Sequence, residues 1–356
     1  MKSATTQLLP LPDFSIAWAA WSNPNQDHGY SHVGFKLFEQ LTHQPGIKNH
    51  HMYQFGWDAM VVVSTPAAWL LGPAPCKRPD LVIHTMFEAS PLPPYWVDNL
   101  NLAGLVWAPT QYWADEFRAQ GVTTPIMVSG YGVDGHIYQF VDRSRRQKDP
   151  LRPFKVLVWS ELPISRKNAL LAMEVFHRAK LPNAVLELKV MEFPGYQKGT
   201  TRFTGSDGLE INAQVYTGSW PRRRLVSWLH SGDVGLYLSG GEGFGLMPLE
   251  MMATGLPVIC SDNTGMSHYL NEAIGMRVRT KEMRSSPAYK AAYGYDAKTA
   301  WPDIDQAVAH LRWAYEHRGL AHQMGLRAAE YVRSTFTWEQ AGEQAAFLLR
   351  QHFKKL

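Results

Sequence analysis

Two glutamates with seven residues between them sit in the segment Ser239-Gly-Gly-Glu242-Gly-Phe-Gly-Leu-Met-Pro-Leu-Glu250. An apolar run, 234–238, precedes it, and Met251-Met-Ala-Thr-Gly-Leu-Pro follows, so the segment reads as strand, glycine-lined loop and helix. The glycines let backbone approach a ligand closely. The N–H groups of Phe244, Gly245, Leu246 and Met247 fall at the helix N-terminus, which suits an anion. Glu242 lies in the loop, and Glu250 lies about two turns into the helix, where it can face the same cleft. Carboxylates bind sugar and ribose hydroxyls by charge-assisted hydrogen bonds. A second charged segment, Arg166-Lys167-Asn168, follows the apolar run 154–159.

The first half carries looser candidates. His84 and Glu88 fall at the C-terminal end of an expected strand over 81–84, facing the same cleft. A polar loop after the first strand holds Asp27, His28, Gly29 and His32, of which Asp27, His28 and His32 are acceptor-side candidates together with Glu88. Arg222, Arg223 and Arg224 open a helix; three arginines could bind phosphates or form its solvated first turn. The two cysteines, Cys76 and Cys260, build neither a metal site nor a disulfide framework, and a reducing cytoplasm is the default compartment.

The E-G-F-G-L-x-x-x-E run followed by A-x-G-x-P-V resembles the signature of the family 4 retaining glycosyltransferases of the GT-B fold. That resemblance implies roles residue by residue. Glu242 contacts the transferred sugar, Glu250 holds the nucleotide ribose, and the amides from Phe244 to Met247 meet sugar and phosphates. Arg166 and Lys167 neutralise the donor diphosphate, since charge builds on the leaving group. The family's earlier arginine position holds Glu161 here. His84 would act near the reacting carbon or, as a lone histidine after an apolar strand, serve as a hydrogen-bonded structural residue, and Gly29 is what remains of a glycine-rich donor loop. Trp220 falls where the family lines its nucleobase pocket, and Asp134, in Tyr131-Gly-Val-Asp, reads as a turn cap. The implied enzyme is a metal-independent hexosyltransferase, with a nucleotide sugar (UDP-sugar ahead of GDP-sugar) as co-substrate and no other cofactor. The acceptor is a saccharide or lipid-linked saccharide, or a hydroxymethylated DNA base. A nucleotide-sugar epimerase or phosphorylase of the same fold, or a non-catalytic nucleotide-sugar module, is the alternative.

Elements must hold these residues in one place. Apolar runs at 14–20, 60–64, 81–84, 105–108 and 126–129 alternate with helical patterns such as 33–41 and 111–120. After a charged, proline-bounded linker over 142–153, the alternation restarts at 154–159, 185–190, 214–216, 234–238, 257–260 and 276–279. The fold class is therefore α/β, with two doubly wound Rossmann-like domains and ligands at the strands' carboxyl ends, in the cleft between them. The domains are 1–145 on the acceptor side and 154–336 on the donor side, with a helix over 337–356 packing back on the first. Two stretches, 195–212 and 281–301, read as long loops; the second is dense in aromatics.

Bulk composition agrees with two domains. The chain has 356 residues, 45% of them hydrophobic and 19% charged, which supports two cores and argues against disorder. A net charge of +4 fits an anionic partner without choosing one. The uncharged stretch 59–76 is broken by Pro66, Gly72, Pro73 and Pro75, so it reads as strand and loop rather than an integral membrane segment.

Overall fold

The computed structural model describes residues 12–20, 29–50, 57–64, 76–144, 151–160, 166–191, 199–204, 208 and 210–353. Among them no helix is long and apolar enough to cross a membrane.

The first half is a six-stranded sheet built from β1 (Phe14–Ala20), β2 (Ile47–His50), β3 (Ala59–Val63), β4 (Arg78–His84), β5 (Ala103–Ala108) and β6 (Ile126–Val128). Its order is β2-β1-β3-β4-β5-β6, and every pairing is parallel. Apart from the edge strand β2 and the start of β4, the strands are apolar along most of their length because helices cover both faces: α1 (Gly29–Thr42), α2 (Pro94–Leu102) and α3 (Gln111–Ala119). Trp96, Trp107, Trp113 and Phe117 are fully buried between these layers.

The second half has seven strands in the order β13-β12-β11-β7-β8-β10-β9. They are β7 (Phe154–Trp159), β8 (Ala184–Lys189), β9 (Gly199–Thr204), β10 (Glu210–Tyr216), β11 (Val234–Tyr237), β12 (Val258–Ser261) and β13 (Met276–Val278). Only β9 runs antiparallel, against β10. Helices α4 (Ala169–Ala179), α5 (Arg222–His230) and α6 (Leu246–Ala253) connect them. The chain winds outward one way from β7 and the other way from β11, so the loops after these adjacent strands open together at the switch point.

Both expected long loops contain regular structure. The stretch 195–212 holds β9 and the start of β10. The stretch 281–301 is a lobe of β14 (Thr280–Ser285), α7 (Pro287–Tyr293) and β15 (Lys298–Pro302). Strand β14 is exposed along nearly all its length, so it lacks the apolar alternation that marks a strand in sequence. Helices α8 (Ile304–Glu316), α9 (Arg318–Thr335) and α10 (Trp338–His352) complete the chain. Helix α10 starts with a capping box, Thr337 with Gln340, and packs on α1 of the first half.

The 142–153 linker is not a purely solvated segment. Arg143 is 1% exposed, and its guanidinium donates to the carbonyls of Leu229 (3.0 Å), Gly232 (3.2 Å) and Thr254 (2.6 Å). These carbonyls close the C-terminal ends of α5 and α6, where a cation meets the negative pole of each helix. Residues 145–150 of the linker lie outside the described residues. Arg143→Met should strip donors from buried carbonyls and cost about 3 kcal/mol, read from urea unfolding. A loss under about 1 kcal/mol would show that those carbonyls find other partners.

Candidate functional site

The loops after β7 and β11 border a cavity of about 350 Å³ between the two sheets. A pocket of this size, lined by apolar side chains with a few convergent charges, is the usual form of a small-molecule site. Second-half residues Arg166, Lys167, Glu242 and Glu250 line it, and His32, Glu88 and Tyr131 line it from the first half.

Glu242 is 6% exposed at the centre. Its Oε1 accepts from the Ser239 hydroxyl (2.6 Å), the Tyr237 hydroxyl (2.7 Å) and Arg166 Nη1 (3.4 Å). Lys167 Nζ lies 2.9 Å from Oε1 and 3.1 Å from Oε2. Burial alone would raise this carboxyl, but Arg166 and Lys167 overcome it and hold the group at about 2. Glu242 is therefore a permanent anion near neutral pH and accepts hydrogen bonds only. Its backbone is fixed as well: the N–H donates to Thr264 Oγ1 (2.8 Å), and the carbonyl accepts from Trp113 Nε1 of α3 (3.0 Å). Gly241 packs so closely on the first half that a Cβ there would fall 1.9 Å from the Glu88 carbonyl oxygen.

Arg166 joins the two halves. Its Nη2 donates to Glu88 Oε1 (2.9 Å), and its Nε donates to the Tyr289 hydroxyl (3.0 Å), which donates in turn to Glu88 Oε2 (3.0 Å). Burial would lower the guanidinium's pKa, yet Glu242 and Glu88 raise it well above its ordinary value. Lys167 also donates to the Tyr237 hydroxyl (3.0 Å).

Glu250 lines the same cavity at 5% exposure, on α6. The buried Tyr138 hydroxyl bonds to its carboxylate and accepts from Arg222 Nη1 (2.8 Å). Burial, then the Glu250 charge, raises the Tyr138 phenol well above its usual range. Gly245 precedes α6 at φ 89°, a left-handed conformation that favours glycine, and no side chain caps this helix. Residues 243–247 line the cavity, with the positive end of the α6 dipole at its wall. Trp220 also lines the cavity, with Lys189 Nζ 5.4 Å and Arg224 4.0 Å from its ring.

Glu242, Glu250, Arg166, Lys167, Phe244, Gly245, Leu246, Met247, Glu88 and His32 meet around one cavity. Gly29 opens α1, and His32, one turn on, packs edge-to-face on Trp338 at 5.8 Å. Asp134 caps its turn, accepting from the N–H groups of His136 and Ile137. His84 is a correction: it does not face the cleft. It is 0% exposed, with Nδ1–H donating to Trp107 O (2.8 Å) and Nε2 accepting from the Tyr131 hydroxyl (2.9 Å). Burial lowers it to about 4, so it stays neutral and buttresses Tyr131, which does reach the cavity. Asp27, His28 and Glu161 lie outside the described residues. Sequence reasoning missed Tyr138 and Tyr237, and met Tyr289 only as one aromatic of the 281–301 stretch, without a role. Tyr237 had a signal too, standing two residues before Ser239 at the end of the strand that leads into the loop.

A model of the family described as "Family 4 Glycosyltransferase in conflict systems" matches residues 124–344. No curated protein matches the sequence. Among solved structures, sucrose-phosphate synthase from Thermosynechococcus elongatus aligns with TM-score 0.66 at 15% identity, over 97% of this chain and 100% of that one. HepE of Anabaena, in complex with UDP and glucose, gives 0.64 at 16% identity over 95% and 100%. WaaG, a glycosyltransferase involved in lipopolysaccharide biosynthesis, gives 0.60 at 13% identity over 94% and 99%. The likeness spans both halves and shows the GT-B fold.

Glu242→Gln leaves two buried cations facing a neutral amide and should cost about 3 kcal/mol near neutral pH. The folded-state carboxyl sits at about 2, below its ordinary 4.5, so its stabilisation is present above 4.5 and lost as pH falls through 2. Urea midpoints of wild type and variant should therefore converge between about pH 5 and pH 2. A gap that stays constant would show that the carboxylate is not ion-paired.

Proposed function

The chain belongs to the family 4 glycosyltransferases of conflict systems, and from that premise we propose that it transfers a hexose from a UDP-sugar to an acceptor hydroxyl with retention of anomeric configuration. One observation carries the reading: Glu242 and Glu250 face one cavity, with the α6 N-terminus between them and Arg166 and Lys167 against Glu242.

In this reading Glu242 orients the transferred sugar. Its Oε2 accepts only from Lys167 among the described residues, so a lone pair remains for a sugar hydroxyl. Arg166, Lys167 and the amides of residues 244–247 stabilise the charge that grows on the diphosphate as its bond to the anomeric carbon breaks. The acceptor oxygen attacks from the same face, and a donor phosphate oxygen takes its proton. Glu250, steadied by Tyr138, accepts from the ribose, and Trp220 provides a face for the base. The choice of UDP draws on HepE, whose structures hold UDP with glucose and UDP-glucose; a GDP-sugar is the second donor candidate.

For the acceptor, a saccharide or lipid-linked saccharide is favoured over DNA. Open aromatics in 281–301 would be compatible with DNA, but Tyr289 is buried, Tyr295 donates to Pro91 O, and Trp301 is half-buried under Arg284. The Tyr293 side chain lies outside the described residues. Lys281, Arg284, Lys290 and Lys298 are exposed, so a basic face persists.

With labelled UDP-glucose, Glu242→Ala should lower transfer at least ~100-fold, and full turnover in that variant would remove Glu242 from the site. Glu250→Ala should weaken UDP binding about tenfold by calorimetry; unchanged affinity would take it off the ribose. A salt-dependent mobility shift on hydroxymethylated duplex DNA should be weak, and tight binding would reverse the acceptor order.

A further inference from the structure

The lobe formed by β14, α7 and β15 grows from the second half but docks on the first. Lys298 and Ser90 exchange backbone hydrogen bonds (3.0 and 2.8 Å), and the Tyr289 ring packs edge-on against Phe87 at 5.3 Å. On the other side the Ala300 N–H donates to the Gly240 carbonyl (2.8 Å), at the start of the Glu242 loop. The lobe thus spans the two halves beside Arg166, and Tyr289 is the side chain it sends there.

We propose that Tyr289 is a positioning residue that keeps Arg166 aimed at the donor diphosphate, by preventing Glu88 from taking the guanidinium in a bidentate pair. This rests on the donor-site reading above. An arginine offers Nε and one Nη as a fork that matches both oxygens of a carboxylate. Here the Tyr289 hydroxyl stands inside that fork: it accepts from Nε and donates to Glu88 Oε2, leaving Glu88 only Nη2 through Oε1. Nη1 turns to Glu242. The guanidinium is held by three groups from three chain regions, and its remaining N–H groups are kept for a ligand. Without the hydroxyl, Nε and Nη2 close on Glu88 together, and the cation is drawn from the cavity into a neutral pair.

The test uses the full chain and calorimetry with UDP and UMP, whose difference reads the second phosphate. Tyr289→Phe keeps the ring on Phe87 and removes the hydroxyl. It should weaken UDP about tenfold and leave UMP and the melting temperature unchanged. Glu88→Ala removes the competing carboxylate and should tighten UDP, and in that background Tyr289→Phe should have no further effect. Unchanged UDP affinity in Tyr289→Phe, while Arg166→Ala loses it, overturns the positioning role and spares the donor site. An equal loss with and without Glu88, or weaker UDP binding in Glu88→Ala alone, also overturns it. Wild-type protein that binds UDP no more tightly than UMP overturns the donor-site reading and this assignment with it.

Discussion

Two cations and two carboxylates, drawn together and largely shielded from water, set the terms for this molecule. Arg166 and Lys167 face Glu242 and Glu88 between the two sheets. An isolated charge at such depth costs several kcal/mol, so each must be satisfied by the others. Glu88 comes from the first half and the rest from the second, so satisfying the charges also brings the halves together. Gly241 against the Glu88 backbone and Trp113 on the Glu242 carbonyl complete the same junction with close packing and a hydrogen bond.

Helix α6 extends the junction. Its N-terminus faces the cavity, and its C-terminus is closed by Arg143, the residue through which the first half enters the second. A cation at the negative pole leaves the positive pole directed into the cavity, where an anion suits it. The same arginine caps α5, whose first residue, Arg222, reaches Tyr138 beside Glu250. Both helices therefore run between the interdomain connection and the wall of the site.

How much of this could be read from the chain follows from the range of each interaction. The doubly wound halves were legible, because buried parallel strands appear as short apolar runs whatever their neighbours. The Glu242–Glu250 pair was legible because glycine needs and helical period are both local. His84 was misplaced because a histidine ending an apolar strand looks the same whether it faces a cleft or a tyrosine; the Trp107 and Tyr131 contacts lie 23 and 47 residues away. Arg143 was hidden among the charged residues of a linker. The lobe was hidden because its strand β14 is exposed and mostly polar, without apolar alternation. Tyr289 meets Glu88 across 201 residues of sequence, and no local pattern announces such a partner.

The order Arg166-Lys167 is itself a consequence of geometry. Position 166 must meet Glu88, Tyr289 and Glu242 at once. A planar guanidinium with donors on separate nitrogens can do so and still present an edge to the cavity, whereas an ammonium directs its donors from a single atom. Position 167 has less to reach. Its partners, Glu242 and the Tyr237 hydroxyl, lie close together, and a single nitrogen meets both. Exchanging the two residues would preserve the charge and lose the bridge between the halves, because Arg166 holds the first-half carboxylate and the second-half carboxylate through different nitrogens.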